Sequence, residues 1–188
     1  MKRRKAVTTL LAGIGGAILA PGVLLSGCTP GAARKEYLTD EDILLLDEVG
    51  ETIIPATASS PGAKAAKIGQ FMKVQVTDCY SKKDQETFID GIGKLQGLSK
   101  EMFDKQFLEL DYKQKNQLIV SLNKKADDYT KTKKKDEQDH YFLMMKNLAI
   151  LGYFTSEAGA SKARRYIQNP GYYNGNIPYK KGDKAWAV

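Results

Sequence analysis

The stretch Tyr141-Phe-Leu-Met-Met-Lys-Asn-Leu-Ala-Ile-Leu151 constrains the fold more than any other in the chain. Wound at 3.6 residues per turn, it is apolar on nearly every side. A helix of that kind is stable only when other elements surround it. It is therefore expected to be the central helix, with Met144, Met145 and the aromatics as core.

The segments before it are suited to surround it, because each has apolar residues on one side only. Thr39 with Asp42 three residues on is a capping pair, and Leu38 with Ile43 can staple the same helix start. Leu45, Leu46, Val49, Ile53 and Ile54 then form a wide stripe, and Pro55 ends it. Residues 55–62 read as a loop. A second helix is expected over about 63–80, carrying Ala65, Ile68, Phe71, Met72 and Val76. Ser81 with Asp84 caps a third, which buries Phe88, Ile92 and Leu95, weakens at Gly97 and gives way to a turn over 99–105. Asp111 with Gln114 caps a fourth, with Leu118, Ile119 and Leu122. Residues 127–139 read as a charged connector. Its lysines 131, 133, 134 and 135 are flanked by acids, which favours a solvated loop over an anion site. After the central helix, Gly152 to Gly159 is expected to bend the chain into a last short helix over 160–168.

From Asn169 the texture changes. Turn residues recur at nearly every third place, too often for a helix or a long strand. The same segment holds Tyr172, Tyr173, Ile177, Tyr179 and Trp186. Such an aromatic segment has to cover something, either its own helices or a partner. No stretch alternates with period two and no repeat is visible. The fold class read from this pattern is all-α: a compact bundle of about five to six helices with an extended, aromatic- and Gly/Pro-rich C-terminal tail.

The N-terminus carries an address. Lys2-Arg3-Arg4-Lys5 precedes an apolar run that ends in Leu25-Ser-Gly-Cys28. Charge, apolar core and small residues in that order make a secretory signal peptide. Leu-Ser-Gly-Cys resembles the bacterial lipobox, in which cleavage occurs before a lipid-bearing cysteine. The run of about 20 residues is also long enough to span a bilayer uncleaved, but the lipobox at its end favours cleavage and a lipidated Cys28. Two or three acyl chains make a stable anchor where one does not. Arg3-Arg4 fits either a twin-arginine export signal or an ordinary secretory signal. The Lys-Ala-Val-Thr that follows departs from the twin-arginine pattern. The expected organisation is a signal over 1–27, a lipidated tether over 28–38, a helical domain over 39–168 and the tail over 169–188. The protein would face the periplasm, lipid-anchored in the envelope of a Gram-negative bacterium.

Composition removes most chemistry. The chain has 188 residues, enough for one domain of about 150 residues. Two cysteines and one histidine cannot form a four-ligand Cys/His zinc site. The net charge of +7 owes four units to the signal; residues 28–188 hold 25 basic and 22 acidic side chains. That balance gives no nucleic-acid footprint. Phosphate-binding glycine loops and the Gly-x-Ser-x-Gly elbow are absent, and no βαβ unit is legible for a flavin or nicotinamide. His140 beside Asp139 reads as a surface or locally satisfied histidine. Glu36, Asp40, Glu41 and Asp42 suit a helix N-terminus. Arg164-Arg165-Tyr166 reads as solvated or locally bridged. With Cys28 acylated, Cys79 is either a buried small hydrophobe or a thiol for a partner chain.

Three segments in order carry a resemblance: Glu51-Thr-Ile-Ile-Pro-Ala-Thr-Ala-Ser-Ser-Pro-Gly-Ala63, then Phe142-Leu-Met-Met-Lys-Asn-Leu-Ala-Ile-Leu-Gly-Tyr-Phe-Thr-Ser-Glu-Ala-Gly159, then Pro170-Gly-Tyr-Tyr-Asn-Gly-Asn-Ile-Pro-Tyr179 with Lys184-Ala-Trp186. Together they resemble the gluconate 2-dehydrogenase subunit 3 family, the small subunit of membrane-bound flavin sugar dehydrogenases, over about 45–188. One departure is Ala58-Ser59-Ser60, where family members often carry an acid.

The resemblance implies a subunit without catalytic, cofactor-binding or metal-binding residues of its own. FAD and sugar or polyol oxidation belong to a large subunit of glucose-methanol-choline type, and a cytochrome c subunit often takes the electrons. The small subunit would help that flavoprotein mature, carry it through export and hold it at the membrane. The residues expected to meet the partner are Pro55, Pro61, Tyr153, Phe154, Tyr172, Tyr173, Tyr179 and Trp186. The alternative reading is a stand-alone envelope lipoprotein that binds a ligand or scaffolds another complex.

Overall fold

The capping pair at Thr39 forms as its spacing predicts. The Thr39 hydroxyl accepts from the Asp42 N–H at 3.3 Å, and the Asp42 carboxylate accepts from the Thr39 N–H at 2.9 Å. This starts α1 (Asp40–Ile53), whose Leu45, Leu46 and Val49 are buried. The computed structural model describes residues 37–169, 171, 172 and 175–187. Cys28, Arg3, Arg4 and Tyr173 lie outside the described residues.

The expected second helix is two pieces. A 3₁₀ turn (Ala63–Ala66) leads to Lys67 in the left-handed region, at φ 52°, and only then does α2 (Ile68–Cys79) begin. Close packing explains the break. Ile68 is fully buried beside Gly50, and Gly69 passes so near the Ile43 carbonyl that a Cβ there would collide with it. The Asp47 carboxylate accepts from the Gly69 N–H at 2.7 Å, placing an anion at the helix N-terminus. The break puts Ala65 at the surface and turns Ala63 inward instead. Cys79 ends α2 exposed, which removes the buried-hydrophobe reading.

The next helix, α3 (Lys82–Phe103), starts at Ser81, whose hydroxyl accepts from the Asp84 N–H. It does not weaken at Gly97. A Cβ at Gly93 or Gly97 would meet nothing within 4 Å, while Leu95, Leu98 and Ser99 keep packing inward. Tertiary burial therefore overrides the local penalty of glycine. Gly93→Ala and Gly97→Ala are each expected to stabilise the domain by about 0.5–1 kcal/mol, read as a higher urea midpoint at unchanged slope.

Asp111 and Gln114 cap α4 (Tyr112–Thr132) reciprocally. The helix runs through 127–132, so the charged connector is shorter than its composition suggests. Lys131 and Lys133 are held by Asp128 and Asp139, which accords with a locally neutralised segment.

The central helix is α5 (Tyr141–Thr155), and it packs on all four others. His140 caps it, its Nδ1 accepting from the Phe142 N–H at 3.2 Å. Burial, aided by Lys94 and Lys125, holds the imidazole pKa below its usual value and so favours the neutral ring this cap requires. The helix is buried over Tyr141, Phe142, Met144, Met145, Leu148, Ala149 and Tyr153, yet Ile150 and Leu151 face outward. It continues through Gly152, which lies against the Phe71 ring. Among the described residues no helix is long and apolar enough to cross a membrane.

One ionic cluster ties three elements together. Glu48 of α1 accepts from Lys115 of α4 at 2.8 Å and pairs with Lys64 of the 3₁₀ turn. Burial raises the Glu48 pKa, but the hydrogen bonds from Lys115 and Lys64 outweigh it, and the net value is lowered. A lowered folded pKa stabilises above the unfolded value of about 4.3 and is lost as pH falls through the folded one. Glu48→Gln is therefore expected to flatten the loss of stability below about pH 4 in urea titrations at several pH values.

The expected last helix over 160–168 is instead a π-helical turn (Ala158–Ala163) and a two-residue strand, β1 (Arg165–Tyr166). Its parallel partner is β2 (Trp186–Ala187), in register Arg165 with Trp186. The remainder of the described chain is the all-α bundle its periodicity predicts.

Candidate functional site

Glu51 organises the loop that follows α1. An acid in the last turn of a helix opposes the helix dipole, so its presence there needs a local reason. Its two oxygens accept from the Ala56 N–H at 3.0 Å and the Lys64 N–H at 2.9 Å. Ala63 N–H donates to the Ile54 carbonyl at 3.0 Å, closing the loop on itself. Gly62 crosses the Glu51 carboxylate so closely that a Cβ there would push the carboxylate out of its place. At the tip, the Thr57 hydroxyl accepts from the Ser60 N–H at 3.1 Å, and the Thr57 N–H donates to the Ser60 carbonyl at 2.9 Å. Periodicity and composition give Glu51 no role. The one local signal is its place in Glu51-Thr-Ile-Ile-Pro55, an acid within a turn of the proline that ends the helix.

Tyr153 joins this loop to the end of α5. Its ring is buried and its hydroxyl donates to the Pro61 carbonyl at 2.5 Å, across 92 positions of sequence. Tyr153 therefore faces inward and positions Pro61, and does not itself offer a surface to a partner. Phe154 is half-buried, edge-on to Tyr153, with the Arg164 guanidinium 4.8 Å from its centroid. Arg164 also donates to the Phe154 carbonyl at 2.6 Å. The Ser156 hydroxyl donates to the Tyr153 carbonyl and accepts from the Gly159 N–H. These bonds convert the end of α5 into the π-helical turn.

The chain end returns to the same place. Arg165 donates through Nε to the Lys184 carbonyl at 2.7 Å and lies 4.4 Å from the centroid of Trp186. Lys184 Nζ donates to the carbonyls of Ser59 and Lys162. Loop, bend and chain end thus enclose an open groove lined by residues 56–61, Ser161, Lys162 and Lys184.

The expected interface residues divide accordingly. Pro61, Tyr153, Phe154 and Trp186 belong to this end of the molecule. Pro55 is exposed beside the loop. Tyr172 and Tyr179 are among the most exposed large side chains, at 78% and 79%. Arg164 and Arg165 bridge locally, as one reading of them had it.

The groove offers hydroxyls and ammonium groups, and none of its lining side chains is a histidine, cysteine or carboxylate. His140 caps the opposite end of α5, thirteen residues from Tyr153 and therefore about 20 Å along the axis. Among the described residues, no three His, Cys, Asp or Glu side chains are grouped to hold a metal ion.

The family described as gluconate 2-dehydrogenase subunit 3 matches residues 40–171. The chain belongs to this family. The match opens on the first residue of α1 and takes in all five helices, the Glu51 loop and the bend. It stops short of Ile177, Tyr179, Lys184 and Trp186, which the resemblance had included. No curated protein and no solved structure matches the chain. Membership is consistent with a subunit of a dehydrogenase complex, and an all-α bundle is the fold it takes here.

Proposed function

We propose that this protein is the non-catalytic small subunit of a periplasmic, FAD-dependent sugar or polyol dehydrogenase, and that it matures, exports and tethers the catalytic flavoprotein. The observation that carries the reading is the convergence, at one end of the bundle, of two segments inside the family match with residues 184–186 beyond it. Tyr153 holds Pro61, and Lys184 reaches Ser59, so the Ile-Pro loop, the end of α5 and the chain terminus form one surface. A surface assembled from distant segments, with exposed Tyr and Trp beside it, has the composition of a protein-binding site. In this reading FAD and the oxidation chemistry reside on the large subunit, and a cytochrome c subunit accepts the electrons. Cys28 carries the lipid anchor, and Arg3-Arg4 take the folded flavoprotein across the membrane as a passenger.

Changing Arg3 and Arg4 to lysine tests the export role. Dye-linked sugar dehydrogenase activity is expected to disappear from the periplasmic face while the flavoprotein accumulates inside the cell. Unchanged export of the flavoprotein would refute the passenger role.

A further inference from the structure

Charge is unevenly placed along the chain. Residues 37–157 carry 17 basic and 20 acidic side chains, whereas residues 158–188 carry six basic and one acidic. The six are Lys162, Arg164, Arg165, Lys180, Lys181 and Lys184. In the bundle four of the 17 basic side chains, Lys64, Lys115, Lys131 and Lys133, are held by a carboxylate. In the C-terminal segment the pattern differs. Lys184 rests on two backbone carbonyls, and each arginine is bound to a carbonyl and stacked on an aromatic ring. Asp183, the segment's one acid, accepts from the Lys180 N–H at 3.3 Å. Among the described residues none of the six cations has a carboxylate partner.

We propose that the groove between the 55–62 loop and this basic segment receives carboxylate side chains from an acidic surface of the partner protein. The inference rests on the accessory-subunit reading and deepens it by naming the chemistry of the surface recognised. Lys162 and Lys184 supply charge at the groove. The hydroxyls of Thr57 and Ser60 hydrogen-bond each other at 3.1 Å, and whichever of them accepts in that bond keeps its own O–H to meet an entering oxygen. Uncompensated like charge on one face costs free energy unless an opposite field meets it, and it steers an acidic partner onto that face. The lining favours protein over lipid as the source of the anion. A concave, hydroxyl-lined groove admits a protruding Asp or Glu side chain, whereas a bilayer meets convex apolar surface.

The test captures the full-length protein from gently solubilised native membranes with an antibody to the helical domain, and quantifies the co-purifying flavoprotein. Lys162→Glu with Lys184→Glu is expected to lower recovery about tenfold, and recovery of the wild type to fall as salt rises. Lys162→Gln with Lys184→Gln is expected to give a smaller loss in the same direction and guards against misfolding of the reversed pair. Lys124→Glu with Lys125→Glu, on exposed α4 positions, is expected to leave recovery unchanged. Undiminished, salt-insensitive recovery with both groove variants would overturn this inference and leave the accessory-subunit reading standing. If no flavoprotein accompanies even the wild type, that reading fails and the inference with it. Binding to phosphatidylglycerol vesicles that depends on Lys162 and Lys184, with flavoprotein capture unaffected, would assign the groove to lipid and overturn the proposal.

Discussion

Tyr153→Ala is expected to destabilise the domain by about 3–5 kcal/mol, the range for deleting a large aromatic from a packed core. Tyr153 is 1% exposed in the last turn of the helix that every other helix touches. Its removal opens a cavity where α5, the 3₁₀ turn and the loop meet. It also strips the Pro61 carbonyl of its donor. Tyr153→Phe separates the two effects, since the ring stays and the hydroxyl goes. Its expected cost is about 1–2 kcal/mol. Urea denaturation measures both, and an unchanged slope would confirm that the folded state remains compact. Amide exchange is expected to speed up at Thr57 and Ala63 in Tyr153→Phe, because their backbone bonds close the loop that Tyr153 pins. Equal stability of the Phe variant and the wild type would show that the hydroxyl does not hold the loop.

Gly69→Ala is expected to cost about 3 kcal/mol or more, at the upper end of overpacking effects. The added Cβ would strike the Ile43 carbonyl oxygen, and that atom is backbone. A side chain can swing aside, but here two helices must separate. Separation would also stretch the bond from the Gly69 N–H to Asp47 and withdraw Ile68 from beside Gly50. The contrast with Gly93→Ala and Gly97→Ala is informative, because all three are helical glycines. At Gly69 the missing side chain is required by a neighbour, while at the other two it is merely absent. Thermal or urea unfolding of the three variants side by side is expected to move in opposite directions.

These glycines show why parts of the fold were legible and others were not. The capping pairs at Thr39, Ser81 and Asp111 were readable because both partners lie within three residues. The central helix was readable because an all-round apolar run has few other fates. The break at Lys67 was not, since its cause is the approach of Ile43 and Gly50 from another helix. Gly97 misled for the same reason in reverse: its local penalty was plain, while the burial of Leu98 and Ser99 that overrides it is tertiary. At the candidate site, the Pro55–Pro61 loop and the Tyr153–Phe154 pair were marked by sequence. That Tyr153 turns inward to hold Pro61 was not, because a contact across 92 positions leaves no local trace. Lys184 was likewise invisible until the chain end was seen to return to Ser59.

A chain that works as part of a flavoprotein complex should bring that flavoprotein with it. Capture of the full-length protein from gently solubilised native membranes, followed by an absorption spectrum and mass spectrometry of the accompanying chains, decides this. The expected result is a co-purifying large subunit with flavin absorption and dye-linked oxidation of a sugar or polyol. Recovery of the protein alone and colourless would contradict it.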